Sequence, residues 1–227
     1  MKKWVCAALC TLLCCVSVCA GATLGSRQIF VPGNIVTFGV YEQDNNLRNG
    51  PEPIEWIVLG CDDDSALLLA RYGLDAVPYD NEERNVTWET SSIRRWLNTE
   101  FISRAFSAKE CGAIYMIETS TPDNHEHGTD GGRDTQDAVI LLSIEELDWM
   151  IEKKADRTTK PTEYAYRQGV TKDKNGRCWW WLRSPGKNAQ KAAHANFEGG
   201  IFDDGTLVNN ARGAVRPAIM VDLNAPM

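Results

Sequence analysis

Histidine is scarce in this 227-residue chain, which has three, at His125, His127 and His194. The chain also lacks a Gly-x-Ser-x-Gly elbow, a phosphate-cradling glycine loop and a Cys/His pair in a recognisable local signature. No residue is therefore marked out in advance for nucleophilic hydrolysis or nucleotide chemistry. Low-complexity tracts, linkers and internal repeats are missing as well, which points to one domain. Cysteine looks plentiful at eight, but five of them (Cys6, Cys10, Cys14, Cys15 and Cys19) crowd the first nineteen residues. A disulfide-stapled scaffold is thereby excluded. Cys61, Cys111 and Cys178 remain, and their pairing is open. Past the first twenty residues no apolar run approaches the roughly 20 that a membrane helix needs.

That N-terminal stretch has its own logic. Lys2 and Lys3 give a basic start, Trp4 to Val18 is apolar and uncharged, and Val18-Cys19-Ala20 or Ala20-Gly21-Ala22 offers small residues for cleavage. Residues 1–22 read as a signal peptide and residues 23–227 as the mature domain. An uncleaved anchor is the rival reading. Cleavage near Ala20 or Ala22 would make the protein secreted or displayed at the cell surface. Losing Lys2 and Lys3 takes the formal charge from −7 to −9. So acidic a chain is a poor partner for nucleic acid or an anionic membrane.

Short β-branched and aromatic runs bounded by turn residues predict strands over Gly33–Tyr41, with Val36, Phe38 and Val40 on one face, then Ile54–Leu59 and Ala66–Ala70. The middle turns helical. Ile93, Trp96, Leu97, Phe101 and Ala105 recur at three-to-four spacing after Ser91-Ser92. Ser107 with Glu110, and Ser143 with Glu146, fit capping boxes. Ala138–Leu142 reads as a buried strand. Near the C-terminus, Asn196–Ile201 and Thr206–Val208 flank Asp203-Asp204-Gly205 as a hairpin, and a last strand runs from Val215 through Pro217 to Val221. Strands at both ends with two to three helices between them predict a single α+β domain.

The segment least like generic globular sequence is Cys178-Trp179-Trp180-Trp181-Leu182-Arg183-Ser184-Pro185-Gly186, echoed downstream by Gly213-Ala214-Val215-Arg216-Pro217. On a strand the tryptophans alternate faces, Trp179 and Trp181 together and Trp180 opposite. The bland reading makes Trp180 and Trp181 core and ends the strand at Arg183–Gly186. The functional reading leaves Trp179 as an exposed platform for a sugar ring or peptide. Arg183 and Arg216 read as buried partners of carboxylates and backbone carbonyls.

Residues Asp123 to Asp137 are the most metal-like stretch. Asp123, His125 and His127 alternate there, but two histidines are wrong for a calcium loop, and zinc would need a third ligand from elsewhere. An exposed loop with solvated histidines is the alternative. Cys178 with His194 could be posed as a thiol pair, although a buried or disulfide-bonded cysteine suits an exported chain better. No cofactor is called for.

With these motifs in order, the chain resembles an uncharacterised domain family of exported bacterial proteins, common in Gram-positive gut bacteria. Trp180-Trp181-Leu182-Arg183-Ser184-Pro185-Gly186 followed by Val215-Arg216-Pro217-Ala218 carries the likeness, which spans nearly the whole mature chain. A second resemblance is to the C-type-lectin-like fold, in the branch with the formylglycine-generating enzymes. It implies a mixed, largely antiparallel sheet and a binding surface between the last strands. Carried over, that surface is Lys187 to Arg212, with Asn188, His194, Asn209, Asn210 and Arg212 as contacts. The enzyme members use a cysteine pair, whereas Cys178 stands alone. The expectation is a non-catalytic module binding an extracellular glycan or surface protein, with no membrane span after leader removal and an oligomeric state left open. An enzyme of the formylglycine-generating group, or a metal or carboxylate hydrolase, is the alternative.

Overall fold

The computed structural model describes residues 28–225. The signal-peptide reading of residues 1–22 lies outside them. Along the chain come β1 (Ile35–Tyr41), β2 (Glu52–Cys61) and β3 (Ser65–Ala70), then a helical stretch of α1 (Ser92–Trp96), a π-helical turn (Leu97–Phe101) and α2 (Ile102–Ala105). Next are α3 (Ala108–Gly112), β4 (Ile117–Thr119), β5 (Thr135–Asp137), β6 (Val139–Ile140), α4 (Ile144–Met150), α5 (Lys154–Arg157) and α6 (Glu163–Gln168). β7 (Trp180–Pro185), β8 (Lys191–Ala195), β9 (Ile201–Leu207) and β10 (Ala218–Asp222) complete the domain.

Three sheets result, with strand orders β1-β2-β3-β10-β6, β4-β5 and β7-β8-β9, every pair antiparallel. The α+β expectation is met in one compact domain. In the large sheet β3 lies between β2 and β10, and all six of its residues are buried. That explains the unbroken Ala66–Ala70 apolar run. Among the described residues no helix is long and apolar enough to cross a membrane.

Local chemistry accounts for the helix starts. Ser107 and Ser143 each accept from the N–H three residues on, while Glu110 and Glu146 reach back to the capping serine's N–H. Ser91 caps α1 through the N–H of Arg94. Ile93, Leu97, Phe101 and Ala105 follow, all fully buried, so the apolar spacing holds through the π-helical turn.

Three strand expectations need correcting. Val40 is exposed and Tyr41 buried, because Gly39 at φ +68° makes a bulge that shifts the register after Thr37. A Cβ at Gly39 would stand 2.6 Å from the Ala105 carbonyl oxygen, so the bulge is where β1 meets the helices. Asp203-Asp204-Gly205 lies inside β9, and the turn falls at Asn196–Gly200 instead. The Asn196 side-chain oxygen accepts from the N–H groups of Glu198 and Gly200, both at 2.9 Å, and Gly199 takes φ +78°. Finally, β7 runs on through Arg183 to Pro185, where Pro185 opposes Ala192.

Candidate functional site

The Trp-rich segment builds a frame. Trp180 and Trp181 are fully buried and Trp179 nearly so, which removes Trp179 as an exposed platform. Its ring lies over Gly213, where a Cβ would come within 2.2 Å of the indole. Trp180 points the other way and donates from Nε1 to the Arg157 carbonyl at 3.1 Å. The same carbonyl accepts from Nη1 of Arg216 at 3.2 Å, and the Arg216 guanidinium lies 4.8 Å from the centre of the Trp180 ring. The two halves of the signature therefore meet at Arg157, a buried residue that sequence reading passed over.

The buried arginines differ in their partners. Arg183 has the expected carboxylate, with Nη2 at 2.7 Å from Oε1 of Glu146, and it also donates to the carbonyls of Ser120 and Leu141. Arg216 donates to the carbonyls of Ala70 and Arg157, and no carboxylate pairs with it among the described residues. Burial pulls its pKa down to about 10. Cys178 is fully buried with its thiol pushed up to about 12 by desolvation, and its Sγ contacts the Thr159 carbonyl rather than His194. Among the described residues no disulfide forms, and Cys61, Cys111 and Cys178 stand apart from one another.

His194 belongs to a row of rings. Trp181, His194 and Phe202 are register partners across β7, β8 and β9. The His194 ring lies 4.7 Å from Trp179 and 5.0 Å from Phe202. Burial lowers its pKa to about 4, and among the described residues neither its Nδ1 nor the Trp181 Nε1 has a hydrogen-bond partner. His194 is thus an inner member of the packing, 8% exposed, while Phe202 at 43% forms the outer end of the row.

The β7-β8-β9 sheet is irregular, and two glycines approach each other where it is. The partners of β8 skip register on both sides, between Trp181 and Pro185 and between Phe202 and Thr206. The slack brings Gly186 against Gly205. A Cβ on Gly205, at φ +71°, would stand 2.6 Å from the Ala192 oxygen and 2.9 Å from Cα of Gly186. The Lys187 N–H then bonds the Asp204 carbonyl at 3.0 Å.

At the Pro185 end of this sheet the β7–β8 turn and the end of β9 are tied together. Val208 N–H donates to Gln190 O, Asp80 N–H to Val208 O, and Val86 N–H to Ala189 O. Asn188 and Asn209 are exposed here and Asn210 half-buried. Asn188 accepts from the Gln190 N–H and Asn210 from the Arg212 N–H, so each side-chain oxygen holds its own turn. Of the expected contacts, Asn188, Asn209 and Asn210 share this end, and His194 and Trp179 lie inside. Arg212 sits toward the other end of β7, its carbonyl accepting from the Thr171 N–H one residue before Gly213 meets the Trp179 ring.

The metal-like stretch rearranges similarly. Asp123 folds back to accept from the Gly131 N–H, and His125 is exposed. His127 faces Asp204 of β9 instead. A second acidic group, Glu42, Asp44 and Glu52, lies by the β1–β2 connection, where Glu52 accepts from the N–H groups of Gln43 and Asp44. Near it the buried Tyr41 hydroxyl donates to Asp75 at 2.6 Å, and desolvation holds Asp75 above the usual carboxylate range.

Neither a curated protein nor a solved structure matches the chain. The C-type-lectin-like resemblance accordingly gains no support from them. The uncharacterised-family reading does: the chain belongs to the family described as a domain of unknown function (DUF6273), whose model matches residues 63–223, from the turn before β3 to just past β10.

Proposed function

We propose that this is an exported, non-catalytic ligand-binding module that takes a hydroxyl-rich glycan at the Pro185 end of the β7-β8-β9 sheet. One observation carries the reading. Asn188 and Asn210 spend their side-chain oxygens on their own turns, and neither Nδ2 group has a protein partner among the described residues. Asn209 is likewise unpaired there, and Leu207 beside it is 39% exposed. Several preset donors around a small apolar contact suit a ligand rich in acceptor oxygens. The chain's strongly shifted groups at Tyr79, Cys178 and Arg216 are instead fully buried in the frame, the Tyr79 hydroxyl donating to the Arg183 carbonyl at 2.7 Å.

The test is an array of cell-surface glycans probed with the purified mature chain and with an Asn188→Ala, Asn209→Ala, Asn210→Ala triple variant. Binding to one glycan class by the parent, lost in the triple variant at unchanged thermal midpoint, is expected. A triple variant that binds like the parent would sink the assignment of this surface. Capture of a surface protein through the same three residues would replace glycan with protein as ligand class. Export is tested separately, by N-terminal sequencing of chain recovered outside the cell, which should begin just after Ala20 or Ala22.

A further inference from the structure

Loop 123–131 is clamped to β9 by a residue that is not itself part of any charge cluster. Asn124 is 2% exposed, and its Nδ2 donates to the Pro185 carbonyl at 2.8 Å and the Asp203 carbonyl at 3.0 Å. The Asn124 carbonyl accepts from the Gly128 N–H at 2.7 Å, and Gly128 takes φ +64°, which closes the loop tip. The clamp leaves His127 Nε2 3.0 Å from Oδ1 of Asp204. Asp203 adds a second carboxylate, and one ligand atom from each of the three residues lies within 4.8 Å of the other two. Asp203 Oδ1 accepts from the Asp204 N–H at 3.1 Å, and its second carboxylate oxygen has no hydrogen-bond partner among the described residues. Together the three side chains offer a cation one imidazole nitrogen and two carboxylate oxygens at one place on the surface.

We propose that His127, Asp203 and Asp204 form a three-ligand site for a divalent transition metal of the zinc and manganese class, which staples loop 123–131 to β9. The donor set decides the class. One imidazole nitrogen with two carboxylate oxygens suits a borderline ion, whereas calcium favours six to eight oxygens. The side chains of His127 and Asp204 are 28% and 48% exposed, so an ion enters from solvent without any opening of the core. Three protein ligands leave coordination positions for water. The site shares no residue with the glycan surface and stands or falls apart from it.

The experiment is isothermal titration of the chelator-treated mature chain with zinc and, separately, manganese, with thermal melts in parallel. A Cys61→Ser background keeps the exposed thiol from adding a zinc site. One saturable site is expected, with a thermal midpoint that rises with metal concentration. His127→Ala and Asp204→Asn should each weaken affinity at least about tenfold, with unchanged far-ultraviolet circular dichroism. His125→Ala should bind like the parent. Absence of saturable heat with both metals overturns the proposal. So does parent-like affinity in His127→Ala, or a loss of affinity in His125→Ala.

Discussion

Glu146 Oε1 lies 2.7 Å from Nη2 of Arg183, joining the capping box of α4 to the tryptophan strand. One carboxylate thereby serves two purposes, since Glu146 also accepts from the Ser143 N–H at 3.0 Å. Arg183 is 3% exposed, so removing its partner strands a buried charge. Glu146→Ala should cost about 3–5 kcal/mol in urea unfolding, while Arg183→Met with Glu146→Leu should cost clearly less than that. Parent-like stability of Glu146→Ala would show that the pair does not hold the frame.

The same pair sets an acid limit. Burial alone would raise the Glu146 pKa, but the charge and hydrogen bonds of Arg183 outweigh it and hold the carboxyl below its ordinary range. A depressed carboxylate contributes stability that is present above the unfolded pKa, near about 4.3. That contribution is lost as pH falls through the lower folded value. Glu146→Gln should flatten this acid limb, measured by denaturant melts below about pH 4.5.

His194 produces a slope at milder pH. Its folded pKa of about 4 lies below the ordinary histidine value of 6.5, so the unfolded chain binds the extra proton between them. Stability should therefore be full above about pH 6.5 and fall toward pH 4, by on the order of 3 kcal/mol from this group. His194→Phe keeps a ring between Trp179 and Phe202 and cannot titrate. It should lose the slope between those pH values, and a variant retaining it would assign the effect to another group.

The glycines of the β7-β8-β9 sheet give a steric test. Gly205→Ala meets the Ala192 carbonyl oxygen at 2.6 Å with φ at +71°, and should cost about 1–3 kcal/mol. Gly60→Ala has open space and an ordinary φ, and should stay within about 0.5 kcal/mol. Equal effects would mean that β9 does not close on Gly186 as described.

What could be read from the sequence was mostly local. The capping boxes at Ser107 and Ser143 involve residues three apart, and the buried run Ala66–Ala70 carries its own signal. The Gly39 bulge was hidden because its cause is the approach of the Ala105 carbonyl, far along the chain. Asp203-Asp204-Gly205 has good turn composition, yet contact between Gly205 and Gly186 keeps it in a strand, and Asn196 makes the turn. His127 was legible as a metal-type residue, but its partners on β9 were not, because Asn124 brings them together through backbone carbonyls. The family match is also narrower than the resemblance suggested: β1 and β2 precede residue 63, yet they complete the sheet that contains β3 and β10.

Trp181 and Asn209 separate frame from surface. Trp181 is fully buried, 4.8 Å from Trp179 and 5.8 Å from Tyr79 between ring centres, so its truncation opens a cavity among rings that cannot collapse into it. Trp181→Ala should cost about 3–5 kcal/mol. Asn209 is exposed and makes no side-chain hydrogen bond among the described residues, so Asn209→Ala should change stability by less than about 0.5 kcal/mol. Denaturant unfolding of the two variants beside the parent measures the contrast. If Asn209→Ala destabilised the fold as Trp181→Ala does, the end of β9 would be part of the frame, and loss of binding there would no longer report on ligand contact.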